Sequence, residues 1–246
     1  MAGASRGIGL AIAQQVAEAG AHTILAARSV DKLTEHAQAL EAKGYQASAL
    51  RLDLSDSESI RAAVEGLDTP DILVNVAGTN IRKSFPQYTQ AEYEHLMRTN
   101  LHGIVEVTQK IGARMIERGA GGKIIMIGSL LSLVGLPYMS VYAMTKGALG
   151  QLTKALAAEW GRYNIQVNCI APGFIVTDLN RRMWQAPTMH DWLKGAQANS
   201  RLGAPDDIAP LAVFLAGRGA DYITGQIISV DGGHTTTAVW PFEPEG

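Results

Sequence analysis

Six short apolar runs, separated by stretches with helical periodicity, leave this chain few folds to adopt. The runs are Thr23–Ala27, Ala47–Leu52, Ile72–Val76, Lys123–Ile127, Ile165–Ile170 and Gln226–Val230. They are rich in Val and Ile and continuous rather than alternating, as strands covered on both faces must be. Helical patterns fall near 8–19, 31–43, 56–67, 89–118, 141–163 and 205–217. Strands that alternate with helices require right-handed crossovers, so the expected architecture is α/β: a doubly wound parallel sheet with helices on both faces. Gly20 and Gly44 stand where left-handed helix C-caps want glycine. Asp31 and Asp56 are expected to cap the second and third helices.

No linker, repeat or low-complexity segment interrupts the 246 residues, which are expected to form a single domain, 1–246. The 21 Lys and Arg and 23 Asp and Glu are mixed along the chain, for a net charge of −2. No basic block exists to neutralise a run of phosphates, which disfavours nucleic acid as a partner. Cys169 is the only cysteine, so neither an internal disulfide nor a thiolate zinc cluster can form. The six histidines show no metal-ligand spacing, and no metal is expected. No apolar run reaches the length of a membrane span. These features read as a cytoplasmic protein kept in a reducing environment, with no membrane partner. The alternation breaks at 178–200, where Met183, Trp184, Met189 and Trp192 sit among Arg181, Arg182 and His190. This segment is expected either to cover a ligand as a lid or to form surface helices packing their own aromatics.

The opening Gly3-x-x-x-Gly7-x-Gly9 runs straight into helix-forming residues. Glycines allow a tight turn and close approach to a ligand, and the helix N-terminus offers free N–H groups to a pyrophosphate. Such a turn should follow a strand, yet only Met1 and Ala2 precede Gly3. The expectation is therefore that roughly eight strand residues are missing upstream, or that another segment, such as Thr235–Trp240, fills the central slot. After the following strand come Ala26, Ala27, Arg28 and Ser29, with no carboxylate placed for the ribose 2′-hydroxyl of NAD. Arg28, together with Arg6, suits a 2′-phosphate instead. NADP(H) is thus favoured over NAD(H), two solvated surface arginines being the alternative.

Tyr142 and Lys146 make the chain's only Y-x-x-x-K and would share one helix face. A nearby ammonium lowers a phenol's pKa, as a proton donor to a carbonyl requires. Ser129 follows the run Lys123–Ile127, where its hydroxyl is expected at the crevice beyond the strand ends, or as a turn or cap.

Taken in order, Gly3-x-x-x-Gly7-x-Gly9, Asn75-Val76-Ala77-Gly78, Asn100, Ser129, Tyr142-x-x-x-Lys146 and Pro172-Gly173 resemble the short-chain dehydrogenase/reductase family along essentially the whole chain. The resemblance implies a Rossmann-type fold and a ketone/secondary-alcohol interconversion. It implies Tyr142 as acid/base, Lys146 as the residue holding the nicotinamide ribose and lowering the tyrosine pKa, and Ser129 as donor to the substrate carbonyl. Asn100 would anchor a proton-relay water; read without the family, it is a polar residue satisfying a helix kink. Asp53 would meet the adenine amino group, or else cap the next helix. The turn Pro172-Gly173 with Ile175 and Thr177 would hold the carboxamide. The expected cofactor-contacting set is Gly3, Ser5, Arg6, Gly7, Ile8, Gly9, Arg28, Asp53, Leu54, Asn75, Ala77, Gly78, Tyr142, Lys146, Pro172, Gly173, Ile175 and Thr177. Val76 departs from the family's second asparagine, in a motif that mainly steadies the central strands.

The stretch Asn164–Gly173, the pair Trp192-Leu193 and Val230–Gly233 resemble the gluconate 5-dehydrogenase-type branch. Arg181, Arg182 and His190 would then meet a carboxylate or polyol, or be solvated helix faces. Met183 and Trp184 equally suit an apolar ketone or the acyl chain of a 3-oxoacyl-(acyl carrier protein) reductase. The resemblance implies a homotetramer or homodimer using the helices at 89–118 and 141–163, with Met144, Leu152 and Leu156 either at that interface or in the core. A catalytically silent cofactor-binding sensor is the alternative from another class, disfavoured by the intact quartet.

Overall fold

The computed structural model describes residues 1–178 and 180–236. Six parallel strands are present: β1 (Thr23–Ala27), β2 (Ala47–Arg51), β3 (Ile72–Asn75), β4 (Gly122–Ile127), β5 (Ile165–Pro172) and β6 (Ile227–Val230). They pair as β1-β2 and as β3-β4-β5-β6. Between the two groups lies the slot for which sequence offered only Met1 and Ala2. Those two residues bridge it: Ala2 pairs in parallel with both Ala26 and Asn75. Ala2 N–H donates to the Val74 carbonyl at 2.9 Å, Val76 N–H to the Ala2 carbonyl at 2.9 Å and Gly3 N–H to the Ala26 carbonyl at 2.7 Å. Met1 and Ala2 thus occupy the strand position that leads into Gly3 at the carboxyl edge. The rival segment does not lead into the slot at its described start, because Thr235 hydrogen-bonds Asp231 and Ser229 beside β6; residues 237–240 lie outside the described residues.

Nine α-helices are described: α1 (Gly7–Glu18), α2 (Val30–Glu41), α3 (Ser57–Glu65), α4 (Gln90–Met97), α5 (Gly103–Arg118), α6 (Ser140–Trp160), α7 (Arg181–Trp184), α8 (Pro187–Ala196) and α9 (Pro205–Ala216). The two-faced burial expected of continuous apolar strands is realised residue by residue in β4. Ile124 and Met126 pack with Ile104, Val107 and Ile111 of α5 and with Leu149 of α6. Ile125 and Ile127 pack against Ile12 of α1 and Ile208 and Ala212 of α9. Leu25 of β1 packs with Leu33, Ala37 and Leu40 of α2.

Two local expectations need adjustment. Asp56 caps α3, accepting from Glu58 N–H at 3.0 Å, but α2 begins after Ser29 and Asp31 lies inside its first turn. There its carboxylate faces the positive end of the helix dipole instead of capping. Gly20 and Gly44 do adopt positive φ, +93° and +88°. The stretch 89–118 is helical but not uniform: a π-helical turn, Arg98–His102, separates α4 from α5 and carries Asn100 into the interior.

Candidate active site

A cavity of about 1350 Å³ opens along the carboxyl ends of the strands. Its wall includes all of the expected cofactor-contacting residues except Asn75, which is buried in β3 and donates to the Thr108 hydroxyl at 3.0 Å. Asn75 thereby ties β3 to α5, a positioning role.

At one end, the glycine turn approaches backbone so closely that no side chain would fit. A Cβ on Gly9 would lie 2.0 Å from the Gly3 carbonyl oxygen, and one on Gly3, at φ +97°, would lie 2.5 Å from Ala77 N. Gly7, at φ +55°, opens α1 beneath Thr177. This is a cradle for a phosphate group at a helix N-terminus. Exposed Arg6, Arg28 and Lys32 rim it, and none pairs with a carboxylate at ion-pair distance among the described residues. Lys32 was not marked by sequence, since one lysine on an amphipathic helix carries no signal. Asp53 accepts from Ser55 N–H at 2.9 Å and Ser55 Oγ at 2.6 Å. Partial burial works against its ionisation, yet the Ser55 donors with Arg28 and Arg51 hold its pKa below the usual carboxylate value.

Midway along the cavity, β4 delivers Ser129 and α6 presents Tyr142 and Lys146 on one face. The Ser129 oxygen accepts from Leu131 N–H at 3.2 Å as a cap, which leaves its own proton free to donate. Lys146 is 2% exposed and donates to the Ile127 carbonyl at 2.8 Å. An ammonium has three donors, and Ile127 is its only hydrogen-bond acceptor among the described residues. Burial pulls its pKa down to about 8, with the Cys169 thiol acting the other way. Its Nζ lies 5.6 Å from the Tyr142 ring centroid. Burial pushes the Tyr142 phenol up to about 12, opposed by the Ser129 hydroxyl and then by the Arg82 guanidinium. Arg82, which nothing in the sequence marked, thus joins Ser129 in favouring the phenolate.

Asn100 is fully buried behind the cavity. Its Oδ1 accepts from Thr79 N–H at 2.8 Å and its Nδ2 donates to the Thr79 carbonyl at 2.7 Å. A Cβ on Gly78 would lie 3.4 Å from Lys146 Nζ and 3.7 Å from Asn100 Oδ1, so the bare glycine opens a space that both groups border.

Beyond β5, Gly173 abuts Asp231, where a Cβ would come within 2.5 Å of the Asp231 Cα. Asn180, unmarked by sequence, fixes the next turn by accepting from Thr177 N–H and donating to the Ile175 carbonyl, both at 2.8 Å. The segment 178–200 carries α7 and α8, and Met183, Trp184, Met189 and Trp192 form part of the cavity wall. Trp184 and Trp192 pack edge-on against Phe174, at 5.4 and 5.1 Å. Arg181, Arg182 and His190 are exposed outside that wall, and Arg181 pairs with Asp178 at 3.3 Å; the solvated-face alternative holds. Of the interface candidates, Leu152 and Leu156 pack on the core while Met144 is 48% exposed.

Comparison with known proteins extends this geometry. A family model described as enoyl-(acyl carrier protein) reductase matches residues 3–235. Gluconate 5-dehydrogenase of Gluconobacter oxydans (strain 621H) is 35% identical, over 96% of this chain and 93% of that protein. The crystal structure of a gluconate 5-dehydrogenase from Burkholderia cenocepacia J2315 in complex with NADP and tartrate superposes with a TM-score of 0.92 at 37% identity, covering 96% of this chain and 94% of that one. L-sorbose reductase from Gluconobacter frateurii, complexed with NADPH and L-sorbose, gives a TM-score of 0.89 at 32% identity, covering 97% and 96%. With such identity sustained over nearly its whole length, the chain belongs to the short-chain dehydrogenase/reductase family of oxidoreductases.

Proposed function

We propose that this enzyme uses NADP(H) to interconvert a ketone and a secondary alcohol on a small polyhydroxylated substrate, a sugar acid before a neutral sugar. One observation carries the reading: Ser129, Tyr142 and Arg82, which pairs with no carboxylate among the described residues, line one cavity that also holds a phosphate cradle rimmed by Arg6, Arg28 and Lys32. The bound nicotinamide supplies the hydride. The protein supplies position and a proton. Two unmatched N–H groups of buried Lys146 suit ribose hydroxyls, and Arg6, Arg28 and Lys32 suit a 2′-phosphate. Ser129 donates to the substrate oxygen, while Tyr142 delivers its proton there in reduction and takes it back in oxidation. Arg82, which meets no carboxylate among the described residues, suits an anionic substrate group. The tartrate and L-sorbose held by the two relatives are both polyhydroxylated, which agrees with this class.

The segment 178–200 acts in this reading as a lid whose apolar side chains exclude water. That same wall, with Leu130, Leu131 and Leu136, favours a second reading, reduction of a 3-oxoacyl chain. The reading also takes the enzyme as a cytoplasmic homotetramer or homodimer, supported by the free buried thiol of Cys169 and exposed Met144, Phe214 and Tyr222.

The test is a steady-state panel with NADPH and NADH. The reading requires 5-keto-D-gluconate to be reduced with NADPH at a kcat/KM at least about tenfold above that for 3-oxoacyl thioesters. Preference for the thioesters would move the assignment to the second reading, and turnover of neither would overturn both.

A further inference from the structure

β4 ends at Ile127, and a short 3-10 turn, Leu130–Ser132, follows almost at once. Both sides of that junction are bonded to one residue of α6. The Lys146 ammonium donates to the Ile127 carbonyl at 2.8 Å, and the Ser132 hydroxyl donates to the Lys146 carbonyl at 2.8 Å. Ser129 lies between the two tethers, and its own N–H donates to Ser132 Oγ at 3.3 Å. A hydroxyl has one proton and two lone pairs, so Ser132 gives its proton to the helix and accepts from the strand end. One side chain thereby bridges the backbones of Ser129 and Lys146.

The surrounding residues leave room for this hydroxyl. A Cβ on Gly128 would stand 2.7 Å from Ser132 Oγ, so any larger residue there would push the bridge aside. Ser129 reciprocates, its Oγ accepting from Leu131 N–H at 3.2 Å, which closes a capping box over the turn. The cap fixes the shape of the turn, while the bond to Lys146 fixes where the turn stands against α6. Of the two tethers, the ammonium is the one that also has donors for other partners. Ser132 reaches the helix through its backbone, and that link does not depend on what the ammonium holds.

We propose that Ser132 is a positioning residue for the reaction, setting the separation between the Ser129 hydroxyl and the Tyr142 phenol by bracing the end of β4 against α6. Ser129 and Tyr142 act on one substrate oxygen, yet they stand on different elements, and Tyr142 lies one helical turn before Lys146. Ser132 forms no part of the cavity wall, so it acts through the two residues it joins. Without the brace each group keeps its chemistry while their mutual placement loosens, and a displacement of about 1 Å can slow a reaction by up to ~10²-fold. This inference rests on the reading of Ser129 and Tyr142 given above.

The test compares Ser132→Ala and Ser132→Thr with wild type, using whichever of 5-keto-D-gluconate and a 3-oxoacyl thioester wild type reduces faster, and the corresponding alcohol with NADP+. Ser132→Ala should lower kcat about tenfold in both directions, with KM for the ketone and the affinity for NADPH within about twofold of wild type. Ser132→Thr, which keeps the hydroxyl, should recover kcat to within about threefold. The pH profile adds a readout that a looser fold alone would not move. Burial raises the Tyr142 pKa, and the Ser129 hydroxyl opposes it before Arg82 does; Arg82 and Lys146, the cations beside the phenol, are unaltered by the substitution. In Ser132→Ala the rise of kcat with pH in alcohol oxidation should therefore shift by about half a unit or more to higher pH. Unchanged kcat in Ser132→Ala, a fall in NADPH affinity as large as the fall in kcat, or equal losses in the alanine and threonine variants would overturn the brace while leaving a Tyr142-dependent wild-type activity intact. Wild type that reduces neither substrate would overturn the catalytic reading and this inference with it.

Discussion

Asn100 grips Thr79 from both sides, taking its N–H at 2.8 Å and giving to its carbonyl at 2.7 Å. The π-helical turn at Arg98–His102 carries this side chain into the interior. The helix irregularity and the order of the strand after Gly78 are thus one feature. Asn100→Ala strands two backbone groups at once. It should destabilise the fold by ~2–4 kcal/mol, read from the denaturation midpoint at constant m-value. A loss below about 0.5 kcal/mol would mean that the Thr79 contacts contribute little.

Lys146 carries a buried charge with one carbonyl to meet it, so Lys146→Met should stabilise the cofactor-free protein by roughly 1–3 kcal/mol while removing activity. Burial lowers the folded pKa from 10.5 to about 8. The charged lysine therefore penalises the fold in full below pH 8, and the penalty fades as pH rises toward 10.5. The advantage of the methionine variant should shrink across that window. A constant gap between pH 7 and pH 10 would contradict the assignment.

Arg28 is expected to serve only a cofactor that carries a 2′-phosphate. Arg28→Ala should weaken NADPH binding by about tenfold or more, one charge-assisted hydrogen bond contributing ~1.5–3 kcal/mol. NADH binding should hold within about twofold. Equal weakening of both cofactors would place Arg28 elsewhere than on that phosphate.

Gly9 has the Gly3 carbonyl oxygen where its Cβ would stand, at 2.0 Å. Gly9→Ala should therefore abolish NADPH binding. Gly119→Ala, with open space around its Cβ but φ +68°, should cost only about 1 kcal/mol of stability and leave binding untouched. Retained binding in Gly9→Ala, measured by nicotinamide fluorescence, would show that the turn moves freely.

The sequence disclosed those features that repeat or that physics forces into fixed spacing. Continuous apolar runs such as Ile124–Ile127 announced a sheet packed on both faces, and Tyr142 and Lys146 share a helix face because they stand four residues apart. Arg82 was hidden because residues 79–83 follow no period, and the strip that carries it is held by anchors at Tyr88, Glu92 and Asn100 whose spacing follows no repeat. Arg181 and Arg182 attracted notice through composition alone, and the short helix α7 turns them to solvent. Asn75 stood within a cofactor motif, but only the packed structure reveals that its carboxamide serves Thr108. The bridging of the central slot by Met1 and Ala2 depends on hydrogen bonds with β1 and β3 that no local pattern encodes.

The most direct measurement of the central claim is NADPH oxidation by wild type and Tyr142→Phe with the same ketone, with cofactor affinity measured in parallel. If Tyr142 is the proton donor, the variant binds NADPH as wild type does and loses about 10²-fold or more in kcat. Unchanged turnover in Tyr142→Phe would contradict the account, and the constellation around Ser129 and Lys146 would then be a binding site without the chemistry assigned to it.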